Sequence, residues 1–224
     1  AVAAQSFYEM TRHEIHSGPP VEEAVAAAEA SEAACVVRGE MRMGGQEHFY
    51  LECHTSLATP MEGGSLDILS STQAVTKTQM MCARVCGLPA SKVVARVRRM
   101  GGGFGGKETR SVFVSVCAAV AAHRLQRPVR LSLHRDVDMS SSGGRHAFVA
   151  HYTAAASHPS PGQPPKLLAL QVELYSNGGA CLDLSGPIMD RALLHIDNCY
   201  KWPSAHVHGV VCKTHQPPHT AFRG

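Results

Sequence analysis

The pattern of apolar and polar positions along the chain predicts alternating helices and strands, separated by breaks at glycine and proline. Helical patterns cover 21–34, 75–86, 109–125 and 185–198. Strand patterns cover 35–43, 49–58, 65–72, 92–99, 128–134, 147–156, 167–176 and 205–213, with the loop SHPSPGQPP (157–165) predicted to form an exposed hairpin connection. Because three strand patterns follow one another near residues 35–72, we expect an α+β fold with mixed sheets and packed helices.

The composition excludes several classes of protein. Hydrophobic residues make up 44% and charged residues 17%, which is typical of a folded globular protein. The net charge of +3 gives no indication of nucleic-acid binding, and no apolar run reaches the roughly 18 residues of a membrane span. The eight cysteines form no CxxC pair, which favours reduced thiols in an intracellular protein.

A glycine-rich run, GGGFGGKE at 101–108, lies between a predicted strand and a predicted helix. It fits the GxGxxG dinucleotide fingerprint and nearly fits a phosphate-binding loop, but that loop needs Ser or Thr where Glu108 stands. A tight turn that lets the helix pack on the strand is a third interpretation. Five glycines exceed what a turn needs, so we favour close approach of the backbone to a bulky anionic or polar cofactor.

Six segments occur in a fixed order and together resemble a known family. They are 45–52 (GQEHFYLE), 71–73 (STQ), 99–110 (RMGGGFGGKETR), 143–146 (GGRH), 190–201 (DRALLHIDNCYK) and 220–224 (TAFRG). They resemble the signature segments of xanthine dehydrogenases and aldehyde oxidases, the molybdenum hydroxylases. By this resemblance, 1–34 is the tail of a preceding domain and its connector. Residues 35–224 are then the first part of a molybdopterin-binding domain, truncated at both ends.

The resemblance implies an enzyme of purine catabolism that oxidises hypoxanthine to xanthine and xanthine to urate, with oxygen derived from water. Electrons would pass from molybdenum–molybdopterin through two 2Fe-2S clusters and FAD to NAD or oxygen. It also implies a homodimer in the cytoplasm, or in the peroxisome for some members, with no nucleic-acid or membrane partner. The alternatives are an aldehyde oxidase of the same family and a nucleotide- or phosphate-binding module that uses the glycine run.

The resemblance also assigns roles to individual residues. Gln73, Phe104 and Arg223 are expected to contact the cofactor and to form the environment of the molybdenum. Glu108 and Arg191 are expected to hydrogen-bond the purine. Aldehyde oxidases typically carry uncharged residues at those two positions, so the charges favour a purine substrate. No catalytic residue is expected in this chain, because the general base of similar enzymes lies further downstream.

The fourteen histidines do not predict a metal site from sequence spacing. His206 and His208 are two residues apart, and His215 and His219 are four apart. No HExxH motif occurs, no carboxylate stands at a supporting distance, and prolines separate the second pair. The spacing therefore favours histidines without a metal.

We expect the 224-residue chain by itself to hold no molybdenum and to form no urate from xanthine. The resemblance places the general base, the rest of the cofactor cradle and the other redox centres outside it. Elemental analysis after expression with cofactor available, together with a urate assay, checks this expectation. Stoichiometric molybdenum or steady turnover would contradict it.

Overall fold

The computed structural model describes residues 1–160 and 162–222, which form two compact units. Unit 1 contains Ala1–Gly45 and His146–Pro218, and unit 2 contains Gln46–Arg145 and the residues from His219 onward. The domain boundary predicted after residue 34 stays a prediction. Among the described residues, no helix combines the length and the apolar composition that crossing a bilayer requires.

The described residues form nine strands and five α-helices. In chain order these are β1 (His13–Ser17), α1 (Val21–Glu29), β2 (Ala34–Met43), β3 (Thr55–Met61), β4 (Ser65–Ser70), α2 (Val75–Cys86), β5 (Val93–Arg96), α3 (Ser111–Leu125), β6 (Val129–Ser132), α4 (Arg135–Ser142), β7 (Phe148–Ser157), β8 (Leu167–Gly179), α5 (Ser185–Leu194) and β9 (Ser204–Lys213).

Unit 1 is built on a five-stranded sheet in the order β1-β9-β8-β7-β2. Strands β8 and β9 are parallel and the other neighbours are antiparallel, so the sheet is mixed. Met189 and Leu193 of α5 pack on a cluster that includes Val172 and Val207. Helix α1 packs separately, through its buried valines, against alanines of β7 and β8. Helices therefore cover apolar strand positions, while β1 remains an edge strand.

Unit 2 is built on a four-stranded sheet in the order β5-β4-β3-β6, in which only β4 and β5 are parallel. Helices α2 and α3 pack on it around Leu66 and Ile68, which are buried. Small residues of α3, Ala118 and Ala119, are buried in the same cluster. Their size lets the helix approach the strands closely. This packing fixes both ends of the segment between β5 and α3.

The predicted α+β class with mixed sheets is confirmed, and most predicted elements exist. Helix α2 has the predicted bounds, and Gly87 ends it in the left-handed conformation with φ 67°. The strand expected over 49–58 begins only at Thr55, because Tyr50 and His54 belong to a buried polar network. Strand β1 and helix α4 were not predicted. The hairpin connection between β7 and β8 is confirmed by their antiparallel pairing, although its Pro161 lies outside the described residues.

Candidate functional site

The candidate site is the glycine loop, defined here as residues 97–110, which joins β5 to α3 in unit 2. Within it, Gly102, Gly103 and Phe104 have backbone N–H groups with no hydrogen-bond partner among the described residues. Three consecutive donors of this kind can bind an oxygen-rich or anionic ligand. The loop therefore has the donor set that a polar cofactor requires.

Gln73, which follows β4, is fastened to this loop by both its backbone and its side chain. Its Oε1 accepts hydrogen bonds from the N–H groups of Gly105 at 3.0 Å and Lys107 at 3.2 Å. Its own N–H donates to the Lys107 carbonyl at 2.8 Å. Because two donors fix the amide orientation, the exposed NH₂ end of Gln73 remains to donate to a ligand. The structure thus brings Gln73 together with the loop that contains Phe104, two of the predicted cofactor contacts.

Phe104 lies at the tip of the loop in a backbone conformation that is unfavourable for a non-glycine residue. Its φ is 50°, and the residue is 48% exposed. A bulky residue in the left-handed region costs energy and persists only where its surroundings impose it. The conformation presents an aromatic ring next to the free N–H groups, which is typical of a ligand-binding position.

The loop glycines are needed largely because the chain itself packs against them. A Cβ on any of four glycines would overlap another part of unit 2. The overlaps are Gly101 with Glu52, Gly103 with Gln73, Gly105 with the Phe222 backbone and Gly106 with His48. The sequence interpretation, that the glycines make room for a cofactor, is therefore corrected for these four positions. Close packing on the chain's own atoms holds the loop in place.

Lys107 does not reach outward to a ligand, as the phosphate-binding alternative would require. Its side chain is completely buried, and Nζ lies 3.1 Å from Glu52 Oε2 and 2.6 Å from Ser71 Oγ. Burial lowers the pKa of Lys107, and the Glu52 carboxylate opposes that shift. The same carboxylate oxygen also accepts the Gly101 N–H at 2.8 Å. Lys107 thus forms a structural ion pair with Glu52 beneath the loop. The phosphate-binding-loop interpretation is therefore wrong.

A second buried network supports the loop from α4. The Asp138 carboxylate accepts hydrogen bonds from the Tyr50 hydroxyl at 2.5 Å and from the His54 N–H at 2.6 Å, and lies 2.7 Å from His54 Nδ1. Nε2 of His54 lies 3.2 Å from the Gly106 carbonyl oxygen. The His54 ring thus lies between the Asp138 carboxylate on one side and the Gly106 carbonyl on the other. Burial alone would raise the pKa of Asp138, but the hydrogen bonds from His54 and Tyr50 hold it far below its ordinary value.

His48 fills the space under Gly106 without making a hydrogen bond. Its side chain is buried, and neither ring nitrogen has a partner among the described residues. Burial lowers the pKa of His48 to about 4, and the nearby Arg145 contributes to the shift. The ring is therefore neutral at physiological pH, and it meets Tyr50 edge to face with centroids 4.6 Å apart. Sequence reasoning missed these supports, although His48 and Tyr50 lie in the quoted 45–52 segment.

The two predicted substrate residues lie in different units. Glu108 in unit 2 is half-buried, directly follows the buried Lys107, and has no side-chain partner among the described residues. Arg191 of α5 in unit 1 is exposed, and its NH1 lies 3.3 Å from His195 Nε2. Arg223, the third predicted cofactor residue, lies outside the described residues. The assignments of all five predicted site residues stay predictions.

Comparison with known proteins identifies the family. Residues 7–224 match the molybdopterin cofactor-binding domain. Xanthine dehydrogenase/oxidase of Felis catus is 51% identical over 87% of this chain and 14% of that protein. Xanthine dehydrogenase of Emericella nidulans is 47% identical over 100% of this chain and 16% of that protein. The chain therefore belongs to the molybdopterin cofactor-binding domain family, within the molybdenum hydroxylases, and spans about one sixth of the length of these relatives.

Solved structures agree on the fold. The aldehyde oxidoreductase of Desulfovibrio gigas has a TM-score of 0.79 at 24% identity, over 98% of this chain and 23% of that one. The aldehyde oxidoreductase of Desulfovibrio desulfuricans has a TM-score of 0.80 at 22% identity, with the same coverage. At these identities the likeness concerns the fold alone.

The residues present fit the molybdenum–molybdopterin cofactor that this family binds. Such a group offers many oxygen acceptors. The loop has three adjacent N–H donors, at Gly102, Gly103 and Phe104, and the Gln73 amide adds a further donor without charge. These donors lie on backbone that the Glu52 and His54 contacts already fix. The glycine loop is therefore the part of this chain best suited to hold the cofactor.

Substitution of Gly105 by alanine in the full-length enzyme is expected to abolish molybdenum binding, because the added Cβ overlaps the Phe222 backbone. Gly87→Ala is the matched control: Gly87 also has a positive φ, but a Cβ there meets nothing within 4 Å. Both substitutions carry backbone strain of about 1 kcal/mol. Molybdenum per protein, measured by elemental analysis, should fall only in Gly105→Ala. Equal metal contents in the two variants would contradict the role of the loop.

Substitution of Asp138 by asparagine is expected to destabilise the protein by about 1–3 kcal/mol, because the amide has only one acceptor oxygen and leaves a buried donor of Tyr50 or His54 unsatisfied. The pKa of Asp138 is lowered in the folded state, so its stabilising effect is present above about pH 4 and is lost as the pH falls further. Asp136→Asn, on the exposed side of the same helix, is the control. Urea unfolding at pH 7 and pH 3 should show a difference between Asp138→Asn and wild type that shrinks in acid. A difference independent of pH would refute the network.

Proposed function

We propose that the full-length enzyme containing this chain oxidises purines, from hypoxanthine to xanthine and from xanthine to urate. The observation that carries the proposal is Glu108 of the glycine loop, a half-buried carboxylate without a partner among the described residues. Relatives named xanthine dehydrogenase, 43–51% identical to this chain, support the same substrate class. A purine offers ring N–H donors that a carboxylate accepts and carbonyl oxygens that a guanidinium recognises.

In this proposal some residues of the chain bind the cofactor and others bind and orient the purine. When bound, molybdenum–molybdopterin supplies the two-electron oxidation of a purine carbon with oxygen taken from water. The Gln73 amide and the N–H groups next to Phe104 hold polar cofactor atoms, and Arg223 adds a positive charge for them. Glu108 orients the purine through hydrogen bonds, and Arg191 stabilises the negative charge that develops on the heterocycle.

The remaining steps of the proposed reaction belong to parts of the enzyme beyond this chain. We further propose that electrons leave through two 2Fe-2S clusters and FAD to NAD or oxygen, in a homodimer of the cytoplasm or peroxisome. By resemblance, we place the general base in a part of the enzyme downstream of this chain. The competing proposal, an aldehyde oxidase, requires neither charged residue, so the two substrates separate the alternatives.

Replacing Glu108 by valine and Arg191 by methionine in the full-length enzyme should lower kcat/KM for xanthine strongly. Loss of an electrostatic stabiliser of the transition state costs roughly 10²–10³ in rate. An unpaired purine group adds about 1–3 kcal/mol to the barrier. Turnover of an aromatic aldehyde, which needs neither charge, should be retained.

The matched control carries the same two substitutions at exposed positions, Glu62→Val with Arg84→Met. Both double variants are normalised to their molybdenum content before the substrates are compared. The xanthine-to-aldehyde ratio should fall in the first variant and stay at the wild-type value in the control. A ratio that does not change in the first variant rules out the purine assignment.

A further inference from the structure

Two histidines far apart in the sequence face each other at the edge of the unit 1 sheet. His16 of β1 is the register partner of His206 of β9, and their rings stack with centroids 4.1 Å apart. Glu14 lies two residues before His16 and therefore on the same face of the strand, with Oε2 3.4 Å from His16 Nε2. One potential ligand atom from each of the three residues lies within 4.8 Å of the other two.

We propose that Glu14, His16 and His206 bind a zinc ion, a site separate from the proposed oxidation of purines. Imidazole nitrogens and a carboxylate oxygen are ligands that Zn²⁺ prefers, and three protein ligands leave a fourth position for water. Bonds of about 2.0–2.2 Å require the most widely separated ligand atoms to approach each other by roughly 1 Å. The side chains of Glu14 and His16 are 56% and 64% exposed, so their rotation provides that movement.

The surroundings of His206 are those of a metal ligand. Its Nε2 is buried and has no hydrogen-bond partner among the described residues. Its Nδ1 lies 3.8 Å from Glu22 Oε1, in the first turn of α1. In metal sites the second ring nitrogen of a histidine commonly faces a carboxylate, which fixes the tautomer and leaves the other nitrogen to the metal. A zinc ion at Nε2 gives that atom its missing partner.

Ordinary packing does not account for this arrangement. Exposed ion pairs such as Glu14 with His16 contribute little to stability, and stacking two polar rings leaves the buried Nε2 of His206 unsatisfied. Two neutral imidazoles and one carboxylate give the ligand set a single negative charge, and the nearby Glu22 adds a second. Together they neutralise a divalent cation. Binding adds a metal link between the edge strand β1 and β9, which already pair through their backbones.

The test measures Zn²⁺ binding to the full-length enzyme by competition with a chromophoric chelator, with zinc alone as the probe. The variants are His16→Ala, His206→Ala and the conservative Glu14→Gln. The control is His158→Ala, an exposed histidine just after β7. Loss of a residue that merely supports a metal ligand costs about 10–100-fold in affinity. We therefore expect each ligand variant to lose at least about 100-fold, and His158→Ala to bind as the wild type does.

Hydrogen exchange provides a second readout that nonspecific binding does not change. Zinc should slow amide exchange in residues 13–17 of the wild type and of His158→Ala, because the ion adds a link between β1 and β9. It should have no such effect in Glu14→Gln, which removes the charge and keeps the shape. Equal zinc affinity in wild type and His16→Ala, or exchange in 13–17 that zinc does not alter, would overturn the proposal.

Discussion

The buried Asp138 carboxylate is the interaction on which the geometry of the glycine loop depends. An isolated buried charge is strongly unfavourable, so it is found only where donors surround it. Here Tyr50 and two donor groups of His54 provide them. The other side of the His54 ring then holds the Gly106 carbonyl. A carboxylate on α4 is thereby connected through the His54 ring to the loop that follows β5.

How far the sequence could predict the structure depended on whether the determining contacts were local. The α2 helix, its Gly87 terminus and the β2 strand follow from spacing and turn residues, and the structure has them where expected. The α4 helix, RDVDMSSS, is rich in serine and aspartate, which are weak helix formers. Its stability comes from Asp138, whose partners lie more than eighty residues earlier in the chain. Strand β1, HEIHS, is short, polar and at a sheet edge, and its pairing with β9 is also long-range.

The same limit explains what was found and what was missed at the candidate site. The family resemblance pointed to both the loop and Gln73, and the structure joins them through three hydrogen bonds. The motif also made Lys107 look like a phosphate ligand, because the local sequence does not reveal that Glu52 pairs with it from below. A glycine run in a sequence indicates that other atoms lie close to the backbone, but it does not show whether those atoms belong to a ligand or to the protein itself. Here four of the approaching groups belong to the chain itself.

Because the protein's own atoms pack against the loop, the loop is ordered before it binds a cofactor. Because Glu52, Gln73, His54 and the Phe222 backbone already fix the surrounding backbone, the donors of 102–104 are ordered before any ligand arrives. A preordered site loses less conformational entropy on binding than a flexible glycine loop would. The left-handed backbone of Phe104 at the loop tip is strained, and the buried contacts beneath the loop compensate for that strain. The glycines thus act first on the folding of unit 2, and through it on cofactor binding.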